Sequence, residues 1–189
     1  MTRTSITADA RLDQFRATPE AEARLLLLID SFSRSGKSAR TLEGRVKLAK
    51  LDFLLRYPGH LARILAIRNE SAHTIATVLD IEDSAPIDSR MMRYRYGPWD
   101  PSYYALLGAL IGRDLIESIP LPGSNGFGYR TNSRGAQLVV NLKDDESFSE
   151  LSTRAQLLRR HLDLSGTTLK TLIYRLPEIS NANWREELR

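Results

Sequence analysis

The stretch "LIESIPLPGSNGFGYRTNSRGAQL", Leu115 to Leu138, decides how this chain is read. Its first part reads as a strand, a loop of Gly, Pro, Ser and Asn, and a second strand, hence a β-hairpin. The continuation "TNSRGAQLVVNLK" opens a helix with Asn132 or Ser133 as its cap. Just upstream, Asp100 can cap and Pro101 can start a helix running from Ser102 to about Asp114. Helix, hairpin, then an Arg-Thr-x-x-x-Gly helix start is the order of a winged helix. The hairpin is its wing, and Ser102 to Asp114 takes the recognition position. The three glycines of "PGSNGFG" serve the hairpin, because a phosphate cradle would be followed by a helix.

Working outward, "TPEAEARLLLLIDSF" predicts a helix capped by Thr18, with Pro19 at its first position and Glu20 and Glu22 at the positive end of its dipole. A second helix is expected over about Leu42 to Tyr57, its polar edge holding Arg45, Lys47 and Lys50, and a third over Pro58 to Arg68. The segment from Glu70 to Ser89 is less regular, a loop with a short element. Met92, Tyr94 and Tyr96 alternate with Arg93 and Arg95 at the period of a strand, and Gly97-Pro98 turns the chain. Ser147 and Glu150 form a capping box before "LSTRAQLLRRHLDL", and a final helix, "TTLKTLIYRL", stops at Pro177. The tail from Asn181 to Arg189 is expected to be loose unless a partner holds it. The resulting expectation is an α+β, predominantly helical fold in a single domain. Residues 1–36 give an N-terminal helix and arm, 37–142 the winged-helix core and 143–189 a C-terminal helical extension.

Composition narrows the class of function. With 42% hydrophobic and 26% charged residues among 189, the chain has the make-up of a folded soluble domain. Its longest apolar run, Leu25 to Ile29, is too short to span a bilayer, and the N-terminus lacks the apolar core of a signal peptide. The absence of cysteine excludes disulfides, thiol catalysis and thiolate zinc sites and suits the cytoplasm. Net charge is only +4, but it is unevenly spread. Between Arg34 and Arg68 nine Lys or Arg face two acids, Glu43 and Asp52. Such an excess can attract phosphate backbones or be a solvated helix face.

Motifs for chemistry are largely missing. Gly36-Lys37-Ser38 ends like a phosphate-binding loop, but the required glycine at position 31 is Ser31, and a Leu-rich helix precedes it where a strand is needed. His60, His73 and His161 lie far apart with no carboxylate at metal-ligand spacing. No nucleophile elbow or H-E-x-x-H occurs. The reading is no enzyme, no cofactor and no metal.

Attention therefore falls on "RMMRYRYGPWDPSYYALLGALIGRDLIES", Arg90 to Ser118. A base-reading helix should present Arg, Lys, Asn or Gln. This one offers Tyr103, Tyr104, Leu106, Leu107, Leu110 and Ile111, with Arg113 only at the far end. Its remaining stripe, Ala105, Gly108, Ala109 and Gly112, lets another backbone approach closely, by default from its own core. Tyr96, Trp99, Tyr103 and Tyr104 are the candidates for a partner interface. Arg45, Lys47, Lys50, Arg93, Arg95, Arg130 and Arg134 are the candidates for contact with a DNA backbone.

Four blocks, "RVKLAKLDFLLRYPGHL", "MMRYRYGPWDPSYYALLGALIGRDLIE", "GYRTNSRGAQLV" and "LSGTTLKTLIYRLPEI", occur in order. Together they resemble the middle component of bacterial ABC-three-component systems, of which the anti-phage Lamassu-type systems are the best-known members. The first two blocks are specific, and the third is generic to winged helices. The resemblance implies a small winged-helix subunit without catalytic residues. It implies work with an SMC-like ATPase and an effector, often a nuclease, to sense foreign DNA, with non-specific DNA as an added partner. A Tyr-Gly-Pro block before a Tyr-rich helix is also similar to Panacea-type antitoxins. A winged-helix DNA-binding transcriptional regulator is the other alternative.

Overall fold

The computed structural model describes residues 17–33, 40–79 and 91–188. Gly36-Lys37-Ser38, Arg34 and Arg90 lie outside them. Helix α1 (Pro19–Ser33) is buried almost all round, because its Leu25–Ile29 run leaves no polar face, and helices hydrophobic on every side sit at the centre of a fold. Thr18 caps it as expected, its hydroxyl accepting from the Ala21 amide at 3.2 Å. Around it pack α2 (Gly44–Arg56), α5 (Tyr103–Gly112), α6 (Ser133–Asp144) and α7 (Ser149–Leu162).

The chain between α2 and α5 supplies α3 (Pro58–Ile67), α4 (Ala72–Leu79) and a two-stranded ribbon of β2 (Met92–Tyr94) and β3 (Gly97–Trp99). A three-stranded antiparallel sheet has the order β1-β5-β4, with β1 at Leu42–Glu43, β4 at Ile116–Pro120 and β5 at Phe127–Thr131. The expected hairpin is therefore present, in the register Ile116↔Thr131 to Pro120↔Phe127. The molecule is α+β and mostly helical. Helices α8 (Gly166–Ile173) and α9 (Pro177–Ser180) close the C-terminal side. Among the described residues one cluster of buried apolar side chains runs from Ala21 to Leu188. Among the described residues no helix is long and apolar enough to cross a membrane.

Local differences from expectation have local causes. The second helix starts at Gly44, since Leu42 and Glu43 are taken into the sheet opposite Tyr129 and Gly128. The ribbon turns at Arg95-Tyr96, two residues earlier than the expected Gly97-Pro98, and Gly97 takes φ +120, which few side chains tolerate. Helix α7 begins at Ser149, after a short 3₁₀ turn over Glu146–Phe148. The Asp145 carboxylate accepts the Ser147 amide, while Glu150 reaches forward to Arg154 at 3.6 Å, so no capping box forms. The glycine of the Arg-Thr-x-x-x-Gly start, Gly135, has a steric reason. A Cβ there would lie 1.9 Å from the Leu115 carbonyl oxygen.

The tail is the largest departure. Main-chain bonds join Arg93 and Glu186 (2.7 Å), Arg185 and Arg93 (2.8 Å), and Leu188 and Met91 (2.7 Å), so the tail lies along β2 as a third strand segment. Leu188 is buried. The expectation of a loose tail is corrected by these ladder bonds and that one apolar anchor.

Candidate functional site

Beneath β3 and the start of α5 lies a charged network with almost no exposure. Asp52, on α2, accepts from Arg24 Nε at 2.9 Å on one oxygen. On the other it accepts from Arg56 Nε at 2.9 Å and from the Tyr103 hydroxyl at 2.7 Å. Arg56 also donates to Asp100 at 2.8 Å, and Asp100 holds the Ser102 amide (2.9 Å) and hydroxyl (2.6 Å) at the start of α5. Burial acts to raise the Asp52 pKa, but Arg24, Arg56 and the Tyr103 hydroxyl together hold it below the ordinary carboxylate value. Burial and the Asp52 charge push the Tyr103 hydroxyl well up. Two of the sequence blocks, "KLDFLLRYP" and "RYGPWDPSYY", thus meet through Asp52, Arg56, Asp100 and Tyr103. The network fixes how α1, α2 and α5 are set against one another.

This corrects the assignment of Tyr103 to a partner interface: it is fully buried, with its hydroxyl on Asp52. The other three aromatic candidates stay at or near the surface. Tyr104 is 60% exposed, Tyr96 is half-exposed on the ribbon turn, and Trp99 is partly buried. Trp99 and Tyr104 belong to one run of rings. Trp184 stacks on Tyr94 at 4.7 Å between centroids, Tyr94 is 6.4 Å from Trp99, and Trp99 is 6.1 Å from Tyr104. The Arg45 guanidinium covers the far end, 4.5 Å from the Tyr104 ring. Tyr96 does not join this run; it stands on the ribbon's turn beside Arg95 and Lys170. Sequence reasoning missed Trp184, whose stacking on Tyr94 depends on the tail pairing with β2.

The small-residue stripe of α5 is also corrected. Gly108 and Gly112 are exposed, and a Cβ added at either would meet nothing within 4 Å. The helix instead buries Tyr103, Leu106, Leu107 and Leu110. Its outward face therefore carries Tyr104, Gly108, Ile111 and Gly112, with Ile111 43% exposed. Arg113, the one cation near its end, pairs with Glu22 at 3.2 Å.

The seven basic candidates do not form one continuous basic surface. Lys47 and Lys50 are not on a polar edge: both are buried, since α8 packs over that side of α2. Lys47 is engaged by Glu43 (3.7 Å) and Asp163 (3.5 Å), and burial lowers its pKa against the pull of Glu43. Lys50 donates to the Val46 carbonyl at 3.2 Å, and burial, with Lys170 nearby, lowers its pKa to about 8. Arg93 turns inward, donating to the carbonyls of Ile179 (3.1 Å) and Tyr94. Arg130 is spent on Glu117 across the hairpin at 2.8 Å. Arg45, Arg95 and Arg134 are exposed, on three different elements. The hairpin's loop, from Leu121 to Gly126, has no cation.

Among the described residues no three His, Cys, Asp or Glu side chains are placed to hold a metal ion. His60 stacks on Phe53 at 5.1 Å and His161 pairs with Glu70 at 3.0 Å, both roles in helix packing. No family model, no curated protein and no solved structure matches the chain.

Proposed function

We propose that the chain is a non-catalytic adaptor subunit of a bacterial anti-phage complex, a small cytoplasmic winged-helix component that binds an SMC-like ATPase and an effector subunit. The observation that carries the reading is the outward face of α5. The order helix, hairpin, helix and the sheet order β1-β5-β4 support the comparison with a winged helix, in which α5 would be the recognition helix. Yet the face turned to solvent is tyrosine, isoleucine and glycine, with its terminal arginine already paired. Base edges need several outward donors and acceptors, and the only one this face offers on the helix itself is the Tyr104 hydroxyl. The exposed mid-helix glycine, Gly108, costs about 1 kcal/mol relative to alanine, a cost offset when another backbone must come close. Phe127, 51% exposed on the wing, and Val46, 41% exposed on α2, add exposed apolar side chains on the two neighbouring elements. Together they suit the apolar side of a partner helix.

The test is a pull-down of the tagged chain from cells expressing its own gene neighbourhood, with nuclease treatment in parallel. Capture of a large coiled-coil ATPase that survives nuclease is the expected result. Tyr104→Asp should abolish that capture while leaving the thermal melt of the isolated chain unchanged. Recovery of DNA alone, lost on nuclease treatment, would replace this reading with the DNA-binding regulator.

A further inference from the structure

The fold disperses Arg45, Lys47, Arg130 and Arg134 but gathers the other three basic candidates with Lys170 into a cluster in which no carboxylate is paired with a cation. Lys50 from α2, Arg93 and Arg95 from the ribbon, and Lys170 from α8 gather around the rings of Tyr96 and Tyr174. The Arg93 guanidinium lies 4.7 Å from the Tyr174 centroid, and the Lys170 ammonium 5.5 Å from the same ring and 6.0 Å from that of Tyr96. The Arg95 guanidinium stands 5.5 Å from Tyr96. Lys50 comes in from beneath, its Cε 3.9 Å from where a Gly97 Cβ would stand, a point 4.0 Å from the Tyr174 ring. Among the described residues none of the four cations is paired with a carboxylate. They rest instead on carbonyls and aromatic faces.

Four like charges gathered without a counter-charge repel one another; burial first, and then the Lys170 charge, lower the pKa of the Lys50 amine. The same surplus is a local positive field open to an anion. Arg95 and Tyr96 are exposed at the turn, and Lys170 is half-buried beside them. An exposed ring flanked by cations is the arrangement that grips single strands, with phosphates on the cations and a base on the ring.

We propose that the Tyr96 turn is a contact site for single-stranded nucleic acid, with phosphates held by Arg95 and Lys170 and a base stacked on Tyr96. Lys50 adds charge from below. The site lies on the ribbon rather than on α5 or the wing, so it is separate from the adaptor surface. It is tested on the isolated chain, so its failure leaves the adaptor reading standing.

Fluorescence anisotropy with a labelled oligothymidylate of roughly 20 nucleotides, long enough to cover a single site, measures it directly. Arg95→Glu and Lys170→Glu should each weaken binding by about tenfold or more. Each should also flatten the salt dependence by about 0.7 in log–log slope, the amount one phosphate contact contributes. Tyr96→Ala should cost about five- to a hundredfold, the range for one stacked base. Arg95→Lys should keep most of the affinity, and Arg160→Glu, at an exposed position of α7, should change it little. Circular dichroism melts matching the parent confirm that each variant is folded. Any of three results overturns the proposal. The first is no binding by the parent chain at low salt. The second is variants that bind like the parent. The third is a poly-glutamate competitor that displaces the strand at equal charge and is itself lost in the same variants, which assigns the site to an acidic protein.

Discussion

Asp52 is a carboxylate with no exposure and three side-chain donors, and such a group is stabilising only while every partner is present. Asp52→Asn leaves two buried guanidiniums short of a charge and should cost about 3–5 kcal/mol in urea unfolding. Because its pKa is depressed in the folded state, the stability it contributes is present above the unfolded value near 4. It is lost as pH falls through the folded value. The parent's urea midpoint should therefore fall steeply in acid and that of Asp52→Asn less steeply. Lys50 has the opposite sign. A cation whose folded pKa is lowered to about 8 penalises the fold below that pH, and the penalty lifts as pH rises toward the ordinary 10.5. Lys50→Met should stabilise the chain by about 1–3 kcal/mol at pH 7, and the gain should shrink at pH 10. Equal gains at both pH values would show that the amine is not strained. At this scale the sequence showed Asp52 and Arg56 inside a distinctive block, but their partners Arg24, Asp100 and Tyr103 lie 28 to 51 residues from Asp52. No local pattern encodes pairs at that separation.

At the scale of elements, two kinds of glycine separate cleanly. Gly108 faces open space, so Gly108→Ala should stabilise the isolated chain by about 0.5–1 kcal/mol through helix propensity alone. Gly135→Ala drives a methyl group into the Leu115 carbonyl and should cost about 3 kcal/mol or more. Thermal melts of the two variants should move in opposite directions. If Gly108→Ala also lowers recovery of the ATPase, docking and folding have been separated in one substitution. The elements themselves were legible because their signals are local: Thr18-Pro19 caps α1, Asn132 accepts from the Gly135 amide at 2.9 Å, and turn residues divide β4 from β5. The misreadings share a cause. The small-residue stripe of α5 was legible as a stripe, but whether it faced the core or solvent depended on which side met α1.

For the molecule as a whole, the tail is a structural part of the fold. It adds a strand segment beside β2, buries Leu188 and brings Trp184 onto Tyr94. Leu188→Ala should cost about 2–4 kcal/mol, the range for emptying a buried leucine site. Trp184→Ala, at a residue 55% exposed, should cost less than about 1 kcal/mol while shortening the surface run of rings. Comparable losses in chemical unfolding would mean that the ring stack, rather than the apolar anchor, holds the tail.

What the sequence by itself determined is whatever nearest neighbours along the chain decide: the Leu-rich central helix, the caps, the hairpin and the mostly helical class. Periodicity and capping act over a few residues and leave their mark within a short window. Tertiary structure alone decided which cations became structural and which stayed outside, since α8 covers Lys47 and Lys50 while the ribbon's turn leaves Arg95 and Tyr96 in solvent. It alone closed the tail against β2, because ladder bonds between Met91 or Arg93 and the last residues form wherever two backbones meet, whatever their side chains.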